Sequence, residues 1–385
     1  MQFSDRFKTA IGLVRAQMML ARSKGEYYET EPGDALLADY PDILRELSQG
    51  VKSVVVTGTN GKTTTCRMIS SIFNEAGIAH IANPEGANME NRIATVFCDN
   101  YLEGDNRKDT AVLECDENYI RTVLPKIDAS CLVITNIFED QLSRFGSERH
   151  VAEVLCEGLR KSAPAICFLP KDCHFREMIT AVPGWDFIFF DEDKDHNVIP
   201  ELPIPGVFNI NNALAARSVA RYWGIEDDVI REGLLKIRPS FGRFETIRTD
   251  GGYVTICLAK NPEGFRVINE WLFQEEHEQY TRLILAMNHN GGDDLDTGWL
   301  RQNDYTGFIS FFSPVCITGN CVETLSEEIR LAGGRYETIP IDDVAKMLAG
   351  KEGRTLIIAN YSAMMMVRSE FVDIGCAEEY WKVTG

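Results

Sequence analysis

The stretch SVVVTGTNGKTTT, residues 53–65, decides the fold. Ser53 to Val56 form an apolar run with β-branched side chains at three successive positions, as a strand buried on both faces requires. Thr57 ends it, and Gly58-Thr59-Asn60-Gly61 make a sharp turn. Lys62-Thr63-Thr64 then opens a helix expected over 62–76. Backbone amides and a helix N-terminus thus converge on one spot, which favours an anion such as phosphate. Lys62 is placed to meet β and γ phosphates and the Thr63 hydroxyl to ligate Mg²⁺. The spacing GxxxxGK[ST] would put its first glycine at position 56, where this chain has Val56. A glycine-containing strand-to-helix turn that binds nothing would share these features.

Outward from that loop, short apolar runs alternate with helical segments: IAHIAN, TAVLEC, a helix over 117–124, CLVITN, a helix over 148–161, AICFLP and DFIFFD. Strands apolar on both faces with helices between them predict a parallel sheet covered on both sides. Helices from near Asn211 and from Glu226 to Lys236 lead to RPSFGRFETI, where a boundary falls around 243–248. Beyond it YVTICLA, a helix over 263–275, RLILAMN, GFISFFS, PVCITG, helices over 322–332 and 342–349, TLIIAN and a terminal helix predict a second, smaller doubly wound α/β domain. Ahead of the loop lie an amphipathic helix, the acidic turn-rich GEYYETEPGD and a helix ending at Gly50. The expected division is a helical appendage over 1–50, an ATP-binding domain over 51–243 and an α/β domain over 244–385.

Composition narrows the partners. The 385 residues carry 39 Lys and Arg against 58 Asp and Glu, a net charge of −19, which repels nucleic acid and anionic lipid. A polyanionic substrate therefore needs a local cradle such as the one around Lys62. Eleven cysteines are scattered without a Cys-x-x-Cys pair, so neither a disulfide framework nor a structural zinc site is expected. The start lacks a signal-peptide core, and no apolar run reaches 18 residues. A cytoplasmic location is the expectation.

TGTNGKTTT resembles the nucleotide loop of the Mur ligases and folylpolyglutamate synthetases, which activate a carboxylate with ATP as an acyl phosphate that an amine then attacks. Later segments agree in order. ECDEN (114–118) is similar to the strand end bearing the family's Mg²⁺-binding glutamate, here Glu114. A solvated strand-end acid is the alternative for Glu114; Asp116 and Glu117 are weaker candidates, with capping of the next helix as the other reading for one of them. TNIFEDQLSRFG (135–146) resembles the TN-x-x-x-D motif, which implies Asn136 and Asp140 in the catalytic crevice, with Asn136 equally readable as a turn former. PGVFNINNALAA (205–216) is similar to the segment whose asparagine meets adenine, implying Asn212 with Asn209 beside it. FGRFE (241–245) resembles the hinge whose arginine, here Arg243, contacts phosphate; an interdomain salt bridge is its other reading.

LAKNPEGF, ILAMNHNGGDDLDTGW, ITGNCVETLSEEIRLAG and IIANYSAMMMVR resemble the terminal domain of the MurT-type branch of the family. That likeness implies an ATP- and Mg²⁺-dependent synthetase amidating a peptidoglycan precursor, with D-glutamate of a lipid II-type molecule as acceptor. Ammonia would come from a GatD-like glutaminase in a heterodimer, and a lipid-linked substrate would bring peripheral membrane contact. It also implies that Asp296, with Asp293 second, completes the partner's glutaminase triad; alone, the loop reads as a solvated acidic turn. His289 in that loop has no His or Cys at ligand spacing, and YSAMMMVR reads as a packed helix. The four-cysteine zinc ribbon common in the branch is missing from FDEDKDHNVIPELP, so no zinc is expected. Cys156 and Glu157 stand near the usual carbamylated lysine, the nearest lysine being Lys161, and Glu139 replaces an expected arginine. Two other functions fit the motifs: a stand-alone ligase adding an amino acid, and a nucleotide-binding subunit without catalysis.

Overall fold

The computed structural model describes residues 9–13, 16, 31–83, 88–127, 129–138, 147–190, 199–206, 208–239, 242–273, 279–290 and 297–378. Two compact units result. The first takes in described residues up to Ile137, Arg149–Pro203 and Asn209–Ile237, and the second consists mainly of residues from Arg238 onward.

The first unit begins with α1 (Glu31–Asp39) and α2 (Ile43–Leu47). Its sheet comprises β1 (Lys52–Thr57), β2 (Ile81–Ala82), β3 (Thr110–Glu114), β4 (Ala129–Ile134), β5 (Ile166–Pro170) and β6 (Asp186–Phe190). They lie in the order β2-β3-β1-β4-β5-β6, every pair parallel. Val54, Val55 and Val56 of β1 are wholly buried, as its central position demands. The helices are α3 (Lys62–Glu75), α4 (Glu90–Leu102), α5 (Glu117–Val123), α6 (Glu148–Lys161), α7 (Arg176–Thr180), α8 (Phe208–Tyr222) and α9 (Asp227–Leu235). Gly233 of α9 lets that helix approach α3, where Ser71 Oγ donates to the Gly233 carbonyl at 2.6 Å.

The chain leaves β1 through α3 towards β2 and β3, then returns through α5 to β4 on the other side of β1. The carboxyl ends of β3, β1 and β4 therefore flank a point where the winding direction reverses, the usual position of a ligand crevice in open α/β sheets.

The second unit holds β7 (Arg243–Arg248), β8 (Gly252–Leu258), β9 (Arg282–Ala286), β10 (Val315–Thr318), β11 (Tyr336–Thr338) and β12 (Gly353–Ala359), ordered β11-β10-β9-β12-β8-β7. All pairs are parallel except β7 with β8. Phe265 and Ile268 of α10 (Pro262–Trp271), Phe308 of α11 (Thr306–Phe311) and Ile329 of α12 (Val322–Leu331) cover Leu283 and Leu285 on one face. Val344 of α13 (Val344–Leu348) and Val367 of α14 (Tyr361–Asp373) cover Ile284 and Ala286 on the other. The alternation along β9 is the period of two that a doubly covered strand must show. The expected α/β class, a parallel sheet followed by a smaller α/β unit, is what the chain adopts.

Several local expectations are corrected. GFISFFS, read with the strand runs, is helical: Asp304 Oδ1 accepts from the Thr306 amide at 2.9 Å, starting α11, and Phe308 turns into the core. IAHIAN yields only the two-residue β2. Helix α4 was not legible because its run mixes β-branched and aromatic residues without a clear face. RFETIR, read only as the region of a boundary, also forms an antiparallel edge strand of the second unit. YSAMMMVR is helix α14, with Met364 in the core as expected. Residues 1–8 and 17–30, with most of the amphipathic start and of GEYYETEPGD, lie outside the described residues.

Candidate nucleotide site

The loop between β1 and α3 is fixed by backbone geometry. Gly58 and Gly61 sit at φ +124° and +83°, in the region that disfavours side chains. A Cβ on Gly61 would lie 2.3 Å from Asn212 Oδ1, and one on Gly58 2.3 Å from Thr135 Oγ1. Asn136, just past β4, closes the loop from outside. Its Oδ1 accepts from the Asn60 amide at 2.8 Å, its Nδ2 donates to the Asn60 carbonyl at 2.9 Å, and its carbonyl accepts from the Thr59 amide at 3.1 Å. Thr135 Oγ1 adds a bond to the Asn60 carbonyl at 2.7 Å. Asn136 thus acts on the loop's shape, which is how a turn-forming asparagine can serve a ligand site without touching the ligand.

Asn212 on α8 supports the other end. Its Oδ1 accepts from Thr65 Oγ1 at 3.3 Å and its Nδ2 donates to Asn209 Oδ1 at 3.1 Å, all three residues being buried. The NINN cluster is therefore more than a cap.

Lys62, Thr63 and Thr64 form the first turn of α3 and are buried. Lys62 Nζ donates to the carbonyls of Gly58 and Thr59 and pairs with Glu117 Oε2 at 3.2 Å. Thr63 Oγ1 donates to Glu114 Oε2 at 2.6 Å, across the β1–β3 boundary. Glu114 Oε1 accepts from Asn88 Nδ2 at 2.9 Å, and Asn83 brackets the Glu114 backbone through both its amide and its carbonyl. With Glu114 only 4% exposed, the alternative of a solvated strand-end acid does not hold. Asp116 is the capping residue: its Oδ1 accepts from the Asn118 amide at 3.0 Å to start α5. Glu117, the penultimate residue of ECDEN and a weaker candidate in the sequence, turns inward to Lys62; sequence alone does not show which acid does so.

Thr63 and Glu114, a hydroxyl and a carboxylate held 2.6 Å apart beside the loop, are the residues that would hold a magnesium ion here. The buried Thr57 hydroxyl, just before the loop, has no hydrogen-bond partner. Among the described residues no group of three or more His, Cys, Asp or Glu gathers in metal-binding geometry. Burial, reinforced by the Glu114 charge and opposed by Lys62, pushes the Cys66 thiol well up. Burial and the Asp116 and Glu117 charges do the same to Cys115. Both flank the loop as neutral, unreactive thiols.

The remaining expected residues are distributed differently. Arg243 opens β7 in the second unit, half-buried, beside Gly242 and Phe244 at φ +64° and +59°. Asp140, Asp293 and Asp296 lie outside the described residues. Lys161 bonds to Glu157 on the exposed side of α6. His289, without a partner in sequence, has Cys321 from 32 positions away at 3.7 Å from Nδ1. No helix among the described residues is long and apolar enough to cross a membrane.

Residues 56–199 match the Mur ligase middle domain. The chain is 28% identical to the lipid II isoglutaminyl synthase (glutamine-hydrolyzing) subunit MurT of Streptococcus pneumoniae, covering 94% of this chain and 96% of that one. It is 26% identical to the MurT subunit of Staphylococcus aureus, covering 92% and 95% respectively. Among solved structures, MurF from Acinetobacter baumannii superposes with a TM-score of 0.68 at 18% identity, over 89% of this chain and 80% of that one. Mycobacterium tuberculosis folylpolyglutamate synthase, complexed with ADP and AMPPCP, gives 0.65 at 18% over 90% and 95%. Its phosphate loop and inward Glu114 thus lie within a Mur ligase middle domain over residues 56–199, and over more than nine-tenths of its length the chain is similar to MurT subunits.

Proposed function

We propose that the protein is an ATP-dependent carbon–nitrogen ligase that phosphorylates a carboxylate and passes the acyl phosphate to ammonia. The observation that carries this reading is the placement of Lys62, Thr63 and Glu114 at the carboxyl ends of β1 and β3, beside the glycine turn that opens α3. The likeness to MurT subunits supports a D-glutamate carboxylate of a lipid II-type peptidoglycan precursor as acceptor and a GatD-like glutaminase as partner.

In this reading Thr63 and Glu114 hold Mg²⁺, which offsets charge on the β and γ phosphates. Lys62 stabilises the transferring phosphoryl group, and Asn136 and Asn212 keep the loop in shape for it. Arg243 adds a cation, Asp140 contributes to the crevice, and Asn209 and Asn212 border the adenine. Asp296, with Asp293 as the second candidate, completes the glutaminase triad of the partner. The domain division over 1–50, 51–243 and 244–385 and a cytoplasmic site of action belong to the same proposal.

The test is phosphate release from MgATP with the precursor as acceptor and either ammonium or glutamine plus a GatD-like subunit as nitrogen source. Ammonium-dependent turnover is expected. Turnover only with a free amino acid would instead make the chain a stand-alone amino-acid ligase, and nucleotide binding without turnover would make it a non-catalytic subunit. Asp296→Ala should retain ammonium-dependent turnover and lose the use of glutamine; equal loss with both sources overturns that role.

A further inference from the structure

Lys62 does not stand open to a ligand. Its ammonium is buried, 6% exposed, and already paired with Glu117, itself 4% exposed. Glu114 places a second buried carboxylate on the far side of Thr63, 2.6 Å from its hydroxyl. Lys62, Glu117 and Glu114, bonded to one another or to Thr63, therefore sum to −1, one cation against two anions. A nucleotide's phosphates would enter a cradle whose lysine is neutralised and whose nearest other charge repels them. A buried acid facing the lysine meant for phosphate has no purpose in simple phosphate capture. It makes sense if capture is meant to require a divalent ion.

We infer that Glu117 is a positioning residue that holds Lys62 as an ion pair and so makes nucleotide binding conditional on the metal. The pair keeps the Lys62 ammonium against the Gly58 and Thr59 carbonyls, inside the loop. Phosphate must compete with the Glu117 carboxylate for the same donor. A Mg²⁺ ion at Thr63 and Glu114 would add two positive charges to that sum and tip the contest towards phosphate. A free nucleotide, which would otherwise occupy the cradle unproductively, is refused. This inference rests on reading the loop as a nucleotide site.

The experiment is calorimetric titration of the full-length protein with ADP in EDTA and again in excess Mg²⁺, for the wild type and for Glu117→Gln. Glutamine keeps the size and a hydrogen-bond acceptor while removing one negative charge. Removing a unit negative charge several ångströms from the phosphates is expected to raise metal-free ADP affinity about tenfold or more. Affinity for ADP with Mg²⁺ should change less than threefold, so the ratio of the two affinities falls about tenfold in Glu117→Gln. An unchanged ratio, or metal-free binding no tighter than wild type, overturns the inference. Absence of wild-type binding even with Mg²⁺ would overturn the nucleotide reading itself. Should Glu117→Gln misfold, Glu117→Asp, whose shorter carboxylate retreats from Nζ with its charge kept, must leave the metal-free binding weak. Tight metal-free binding by that variant would equally refute a charge-based gate.

Discussion

Replacing Gly61 by alanine puts a methyl group where the structure has none to spare. At φ +83° a non-glycine residue costs about 1–2 kcal/mol. The new Cβ would lie 2.3 Å from Asn212 Oδ1, so the amide must move. Moving it breaks the bond from Thr65 Oγ1 at 3.3 Å and strains the one to Asn209 at 3.1 Å, both between buried groups. Each buried group left unpaired costs roughly 1–3 kcal/mol, so Gly61→Ala should lose about 3–6 kcal/mol in total. The steric part vanishes in an Asn212→Ala background, where only the backbone term of about 1–2 kcal/mol remains. A double-mutant cycle by urea denaturation should therefore give a coupling of about 2–4 kcal/mol between positions 61 and 212. ADP titration should show the loop damaged by Gly61→Ala in both backgrounds, because the left-handed geometry at Gly61 shapes the turn into α3. A coupling below about 0.5 kcal/mol would refute the claim that the α8 asparagine defines the loop's helix-side wall.

Lys62→Ala should weaken binding of ADP with Mg²⁺ by at least about tenfold, the scale of one charge-assisted bond, while Glu114→Gln should chiefly reduce the enhancement that Mg²⁺ gives; titration with and without metal separates the two. In the second unit, Arg368 Nε bonds both oxygens of Glu245 at 3.0 and 3.1 Å, with Arg368 almost fully buried. Arg368→Met should cost about 2–4 kcal/mol of stability by denaturation, and Glu245→Gln added to it should recover part of that. Burial lowers the pKa of His80 below its ordinary 6.5, partly opposed by its bond to the Ile78 carbonyl. The unfolded chain then binds the extra proton more readily, so stability should fall as pH drops below about 6.5 and level off below the folded pKa. His80→Gln should flatten that slope in melts between pH 7.5 and 5.5; an unaltered slope would discard the assignment.

What the sequence determined by itself follows from short-range rules. The run 53–65 specified a buried strand, a left-handed glycine turn and a helix start, because burial on both faces and positive φ restrict which residues can stand there. The alternation of apolar runs and helical segments specified two α/β units for the same reason. GFISFFS escaped, since a short apolar run suits a helix or a strand equally until neighbours supply a core, and RFETIR escaped because only Phe244 and Ile247 in it are apolar.

Only tertiary structure decided which acids face the loop. In ECDEN three carboxylates occupy four positions, and nothing local distinguishes them. The pairing of β1 with β3 aims Glu114 at Thr63, the start of α5 engages Asp116 as its cap, and the first turn of that helix swings Glu117 to Lys62. Likewise Asn136 and Asn212 stand 76 and 151 positions from Asn60 and Gly61, yet one closes the loop and the other bounds it. Such contacts depend on strand order and helix packing, which arise from the burial of the whole core and leave no mark on the spacing of the residues they unite.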